Sequence, residues 1–254
     1  MHFIGQEKVV RELAMISESC AEGNNYNILF SAPSGFGKTT LALLFLNAKG
    51  LLFSSIANPP EFEIDLAKRY VFMDEIHQLK EPEVLYQYLD AGDHTFLLAT
   101  NETGVLKEPL RNRCIVLEFG EYSDLEATII INNLMGFELP QALTEVIINA
   151  TSKVPRELKM LCSRLRYIFR IKGVPETSEV FLKLMYDILD LDVRGYNPTQ
   201  RRYLDYLDSI GGSASITTLS NGLRIPRATL LREVEPRLLY DQKLIITSKG
   251  RSLL

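Results

Sequence analysis

The chain has 254 residues, 46% of them apolar and 24% charged, which allows one large domain or two to three small ones in an ordinary globular protein. No apolar segment approaches the roughly 18–20 residues of a membrane span, and Met1 to Lys8 lacks the basic-then-apolar order of a secretion signal. Cys20, Cys114 and Cys162 are odd in number and far apart, which excludes a disulfide or zinc framework and suits a reduced, cytoplasmic compartment.

Residues 1–121 alternate apolar runs with helical patterns. Strands are predicted at Tyr26–Ser31, Leu51–Ser55, Tyr70–Met73, Thr95–Ala99 and Ile115–Phe119, and helices near 6–20, 38–47, 60–68, 81–90 and 104–112. Strands separated by helices imply a parallel sheet covered on both faces. Between the first strand and its helix runs Ala32-Pro33-Ser34-Gly35-Phe36-Gly37-Lys38-Thr39-Thr40. Strand, glycine loop, helix is the context of a P-loop. Gly35 and Gly37 let backbone N–H groups turn inward around phosphate, Lys38 would reach the β- and γ-phosphates, and the Thr39 hydroxyl would bind Mg²⁺. Ala32 stands where the motif has its first glycine.

The third strand ends in Asp74 and Glu75, carboxylates suited to holding Mg²⁺ and to polarising an attacking water. His77 follows with no identifiable partner and reads as a surface residue. Asn101, at the tip of the fourth strand, could bond both a γ-phosphate and the lytic water. Arg111 and Arg113 read either as a surface pair at a helix end or as a source of a finger for a neighbouring subunit's phosphate. Arg156, opening a later helix at Pro155, could reach back to the same phosphate.

Residues 122–193 lose all strand signals and read as a small helical domain, opened by the capping box Ser123-Asp-Leu-Glu126. Residues 194–254 change character again. Asn197-Pro198 caps a helix that ends at Gly211-Gly212, a short helix covers 216–220, Asn221-Gly222 turns the chain, and Pro226 opens a helix through Leu239. Leu244–Thr247 and Arg251–Leu254 form a hairpin. Three helices and a hairpin describe a winged helix. Ten basic residues here face five acidic ones, so this stretch carries +5 and the rest −9 of the net −4. The excess fits a polyanion partner or a merely solvated face.

Taken together, Gly35-Phe-Gly-Lys-Thr-Thr40, Asp74-Glu-Ile-His77, Ala99-Thr-Asn101, Pro109-Leu-Arg-Asn-Arg113 and Pro155-Arg156 form an AAA+ ATPase series. Their order and wording resemble the RuvB family of Holliday-junction branch-migration motors, and the similarity runs through nearly the whole chain. The resemblance implies an α/β P-loop AAA+ domain at 1–121, an all-helical lid at 122–193 and a winged-helix DNA-binding domain at 194–254. It implies ATP and Mg²⁺ as ligands, with Lys38, Thr39 and Thr40 in Walker A, Asp74 and Glu75 in Walker B, Asn101 as sensor 1 and Arg156 as sensor 2. Arg113 (or Arg111) would be the finger acting in trans within a homo-oligomeric ring, most simply a hexamer. Phe3-Ile4 and the following Gly-Gln match the family's adenine-pocket segment; the family's usual basic leader does not precede them here, and part of that pocket is expected to be missing.

DNA contacts from the wing would fall near Arg251, supported by Arg224, Arg227 and Lys249, largely independent of sequence. The interval from Glu75 to Thr95 is shorter than in RuvB, so the β-hairpin that docks on RuvA is expected to be missing and any junction-binding partner to differ from standard RuvA. Two rival readings remain open: a clamp-loader-like ATPase, and a nucleotide-gated DNA-binding adaptor with little motor activity.

Overall fold

The computed structural model describes residues 3–48, 53–56, 68–248 and 250–254. The expected helix 60–68 and Lys249 lie outside or almost wholly outside these residues. The described chain forms two compact units, one of Met1–Asn133 with Lys153–Met160, the other of Leu134–Ser152 with Leu161–Leu254.

The first unit is built on a five-stranded parallel sheet in the order β2-β3-β4-β1-β5. Its strands are β1 (Asn27–Ser31), β2 (Phe53–Ile56), β3 (Tyr70–Met73), β4 (Thr95–Thr100) and β5 (Ile115–Glu118). Ile28, Leu29, Val71, Phe96 and Leu98 are fully buried, as central strands packed on both faces require. Helices α1 (Glu7–Ala21), α2 (Lys38–Ala48) and α3 (Glu83–Ala91) alternate with the strands. Leu85 and Leu89 of α3 join Leu29, Val71 and Leu98 in one core cluster. The pattern at 104–112 is not one helix. It divides into a 3₁₀ turn at Thr103–Val105 and the short α4 (Glu108–Arg111), because Pro109 supplies no N–H to continue an earlier helix.

The helical stretch consists of α5 (Asp124–Met135), α6 (Gln141–Thr151), α7 (Pro155–Lys172) and α8 (Ser178–Leu189). The Glu126 carboxylate accepts the Ser123 N–H at 2.7 Å and the Ser123 hydroxyl accepts the Glu126 N–H at 3.2 Å, a reciprocal cap.

In the second unit, α9 (Pro198–Ser209) begins with a complete Asn197/Gln200 capping box. Strand β6 (Ser213–Ala214) and α10 (Ile216–Leu223) follow, then α11 (Arg227–Thr229), a π-helical turn at Leu230–Val234, α12 (Glu235–Tyr240), and strands β7 (Leu244–Thr247) and β8 (Gly250–Leu253). The antiparallel sheet runs β6-β8-β7. Asn221-Gly222 does not turn the chain. Both lie inside α10, which Arg224 ends in a left-handed conformation at φ 56. The expected long helix to Leu239 is helical throughout but widened by the π turn, with Pro236 at the start of α12 unable to donate. Tyr203, Leu207, Leu219, Leu230 and Leu238 bury completely around one core, each worth about 1.5–3 kcal/mol relative to exposure. Arg237 ties α12 to its surroundings, donating to Asp241 at 2.7 Å and to the carbonyls of Asn149 and Arg194 at 3.3 Å.

Candidate functional site

The strand order positions the site. Ligands of open parallel sheets bind beyond the carboxyl ends of the strands. Here β4 lies between β1 and β3, so Asn101 falls between the loop that leaves β1 and the carboxylates that leave β3.

The loop after β1 has the backbone its glycines predict. Gly35 and Gly37 take φ of 88° and 98°, a region L side chains avoid. A Cβ on Gly35 would come within 3.0 Å of Val154 and Arg156, and one on Gly37 within 3.1 Å of the Phe3 ring. Ala32 is not in the left-handed region. Its N–H extends the β1–β4 ladder to the Thr100 carbonyl at 3.3 Å, so a methyl group costs nothing where the motif has glycine.

Lys38 is buried and folds its ammonium onto the loop, donating to the carbonyls of Ala32 at 2.8 Å and Pro33 at 3.1 Å. Burial lowers its pKa below the ordinary lysine range, opposed by the charges of Glu75 and Asp74 and assisted by Arg156. An ammonium held at that cost is matched to an anionic ligand. The Thr39 hydroxyl donates to Asp74 Oδ2 at 2.6 Å, which brings the two predicted Mg²⁺ groups together across 35 residues. The other oxygen of Asp74 accepts the Glu75 N–H at 3.0 Å.

Arg156 is exposed, and its guanidinium donates to Ser34 Oγ in the loop at 2.7 Å. The Asn101 Oδ1 is buried without a hydrogen-bond partner. Among the described residues no group of three His, Cys, Asp or Glu side chains could hold a metal alone. A hydroxyl and one carboxylate beside a phosphate cradle are nonetheless the protein's usual share of a Mg²⁺-phosphate site. The glycine cradle and the orphaned Asn101 oxygen fit a nucleoside triphosphate with Mg²⁺.

Several neighbours escaped the sequence reading. Tyr122 is 3% exposed and donates its hydroxyl to the Phe36 carbonyl at 3.0 Å, bracing the loop from outside the motif. Burial raises that phenol to about 12. Gln6 pairs with both the N–H and the carbonyl of Gly120, which seats the Phe3-Ile4 segment against the loop after β5. His77 is not a surface residue. Its side chain is 11% exposed and enclosed by Glu75, Thr100 and Glu102. The clue was present in the two carboxylates, Asp74 and Glu75, that precede the 3₁₀ turn after β3, but only the fold brings β4 alongside.

Arg113 forms a two-pronged pair with Asp90 (2.8 and 3.0 Å), donates to the Pro109 carbonyl at 2.8 Å and lies 4.5 Å over the Tyr86 ring. Its guanidinium is therefore held by α3 within its own subunit. Arg111 keeps a buried Nε without a partner.

In the winged helix, Arg224, which ends α10, and Arg227, which starts the helical run to Tyr240, are both exposed. Arg251 is engaged elsewhere. Its guanidinium is paired with the buried Glu235 at 3.0 Å, because that carboxylate has no water to solvate it, so the group expected on DNA serves the interior instead.

A sequence profile described as the RuvB C-terminal winged helix domain matches residues 193–253. The Holliday junction branch migration complex subunit RuvB of Pseudothermotoga lettingae is 29% identical over 288 residues, spanning 98% of this chain and 84% of the relative. That of Lactobacillus johnsonii is 28% identical over 294 residues, spanning 99% and 86%. The solved structure of the Thermotoga maritima RuvB Holliday junction branch migration motor superimposes with a TM-score of 0.81 at 30% identity, over 99% of this chain and 93% of that one. The chain belongs to the RuvB family. It is a shortened member: alignments of 288 and 294 positions exceed its 254 residues, so the relatives carry segments it lacks. Between Glu75 and Thr95 the described residues form only a 3₁₀ turn at Ile76–Gln78 and α3, with no strand. No helix among the described residues is long and apolar enough to cross a membrane.

Proposed function

We propose that this chain is an ATP hydrolase of the AAA+ class that assembles as a homo-oligomeric ring in the cytoplasm and remodels double-stranded or branched DNA, of the Holliday-junction branch-migration type. One observation carries the reading. A glycine-turned loop with a buried lysine faces a hydroxyl–carboxylate pair 2.6 Å apart, with Arg156 reaching the same loop.

In this reading the loop N–H groups and Lys38 bind the β- and γ-phosphates, while Thr39 and Asp74 hold Mg²⁺. The metal supplies neutralisation of charge developing on the phosphates. Glu75 accepts a proton from the attacking water, Asn101 orients that water, and Arg156 senses the γ-phosphate from the first turn of α7. Phe3 and Ile4 line the adenine side, with Phe36 and Thr40 in the loop. Arg113 completes a neighbour's site in trans once Asp90 releases it, and Arg111 is its alternative. We further propose the three modules 1–121, 122–193 and 194–254 as the P-loop, lid and DNA-binding domains. Arg224, Arg227 and Lys249 supply sequence-independent phosphate contacts, and the absent segment after Glu75 implies a junction partner other than standard RuvA.

The test is ATP turnover by the full chain with and without duplex and four-way-junction DNA, alongside its mass in solution. DNA-stimulated turnover by a ring supports the motor. A chain that binds ATP without hydrolysing it would leave only a nucleotide-gated adaptor, and a pentamer would favour the clamp-loader-like reading.

A further inference from the structure

His77 occupies a position that neither nucleotide binding nor the winged helix explains. Glu75 adopts a left-handed backbone conformation (φ 51) and the 3₁₀ turn Ile76–Gln78 follows at once, so the chain folds back on itself. His77 Nδ1 thereby comes within 3.4 Å of Glu75 Oε2. The same nitrogen lies 3.2 Å from the hydroxyl of Thr100, the last residue of β4 and itself wholly buried. Across the ring, Nε2 is 3.9 Å from Glu102 Oε1.

Thr100 joins this cluster to the phosphate loop and the sensor position. Its carbonyl accepts the Ala32 N–H, its hydroxyl accepts the Glu102 N–H at 3.1 Å, and the next residue is Asn101 with its orphaned oxygen. An imidazole between two carboxylates and a buried hydroxyl cannot turn freely. A carboxylate restrained at one oxygen presents the other in a fixed direction, and groups behind a reacting side chain set its orientation.

We propose that His77 is a positioning residue for ATP hydrolysis: it fixes the carboxylate of Glu75 and couples its setting, through Thr100, to the end of β4 that carries Asn101. The inference rests on the hydrolase reading above. A carboxylate only accepts, so a hydrogen bond from His77 to Glu75 Oε2 requires the imidazole proton on Nδ1. A γ-phosphate that draws on Asn101 shifts the Thr100 hydroxyl and, with it, the imidazole and the base.

Two measurements on the full chain test this. In steady-state ATPase assays with Mg²⁺, His77→Ala lowers kcat about 10–100-fold, the usual effect of losing such a supporting partner. KM and the Kd for a fluorescent ATP analogue stay within about twofold, because ground-state binding is untouched. His77→Gln, whose amide can still donate to a carboxylate, recovers most of kcat. Wild-type kcat in His77→Ala, equal losses of kcat and nucleotide affinity, or no recovery in His77→Gln would overturn the proposal.

Independently of turnover, nitrogen NMR of the histidine rings reads the proton's location. There are only three histidines, so His77→Ala assigns the signal. A proton on Nδ1 whose resonance moves in Glu75→Gln supports the contact, and a bare Nδ1 or an unmoved signal overturns it. A wild-type chain without ATP turnover would overturn the hydrolase reading, and the NMR result would still decide whether His77 holds Glu75.

Discussion

Replacing Arg251 by alanine separates an internal role from a DNA-facing one. Glu235 is 1% exposed and receives three contacts from the Arg251 guanidinium (3.0, 3.3 and 3.2 Å) and one from the Tyr203 hydroxyl at 2.8 Å. Arg251→Ala leaves a buried carboxylate with a single hydrogen bond, and breaking such a pair costs about 3–5 kcal/mol. The Arg251 side chain is 14% exposed, so water can enter where it stood, and the lower figure, about 3 kcal/mol, applies. For a domain of this size that lowers the unfolding midpoint by about 12 °C or more. The assay is thermal and urea unfolding of the full chain, followed by near-ultraviolet dichroism. The double variant Glu235→Leu with Arg251→Met removes both charges and should recover most of the loss, since the cost lies in the unpaired ion. Below the new midpoint, Arg251→Ala should retain most of its affinity for duplex DNA. An unchanged midpoint with a large loss of DNA affinity would refute this reasoning, as would a double variant no more stable than the single one.

Other substitutions test the nucleotide site. Lys38→Met should abolish the ATP-induced rise in melting temperature, which in the wild type corresponds to about 2.7 kcal/mol at one hundred times Kd; the ligand-free midpoint should not fall, because burial disfavours the ammonium it removes. Arg113→Ala should lower turnover of assembled rings by about 10³-fold or more without weakening nucleotide binding, and Asp90→Asn, which loosens the grip on that guanidinium, should raise kcat without altering nucleotide affinity. Tyr122→Phe loses the bond to the Phe36 carbonyl, about 1 kcal/mol at neutral pH. Burial raises the Tyr122 phenol from 10.0 to about 12, so the folded chain keeps a proton that the unfolded chain releases. That contribution is whole below pH 10 and is lost as pH rises toward 12. Unfolding titrations should therefore show a shallower alkaline decline in Tyr122→Phe than in the wild type.

What could be read in advance was whatever a short stretch of chain determines. The strand Tyr70–Met73, the cap at Asn197 and the phosphate loop each depend on spacing within a few residues, and each was predicted within a residue or two. Contacts between distant segments left no local mark. Nothing near Arg251 announces that Glu235 lies buried against it, and nothing near Arg113 announces Asp90 and Tyr86 on α3. A basic residue in a basic stretch reads as a ligand for DNA until a buried acid claims it. His77 shows the reverse error. It reads as an idle surface residue because its partners, Thr100 and Glu102, arrive from a strand about twenty residues later. This difference bears on function. The loop, Asp74 and Glu75 are the parts a nucleotide needs, and local sequence specifies them. His77 lies against Glu75, Tyr122 braces the loop and Asp90 holds Arg113, and these contacts depend on the fold, whose sheet sets β4 between β1 and β3 and β5 beside β1. If hydrolysis is governed by moving these supports, variants at Asp90 and His77 should change kcat while leaving ATP affinity intact, whereas a variant at Lys38 should lose ATP binding and turnover together.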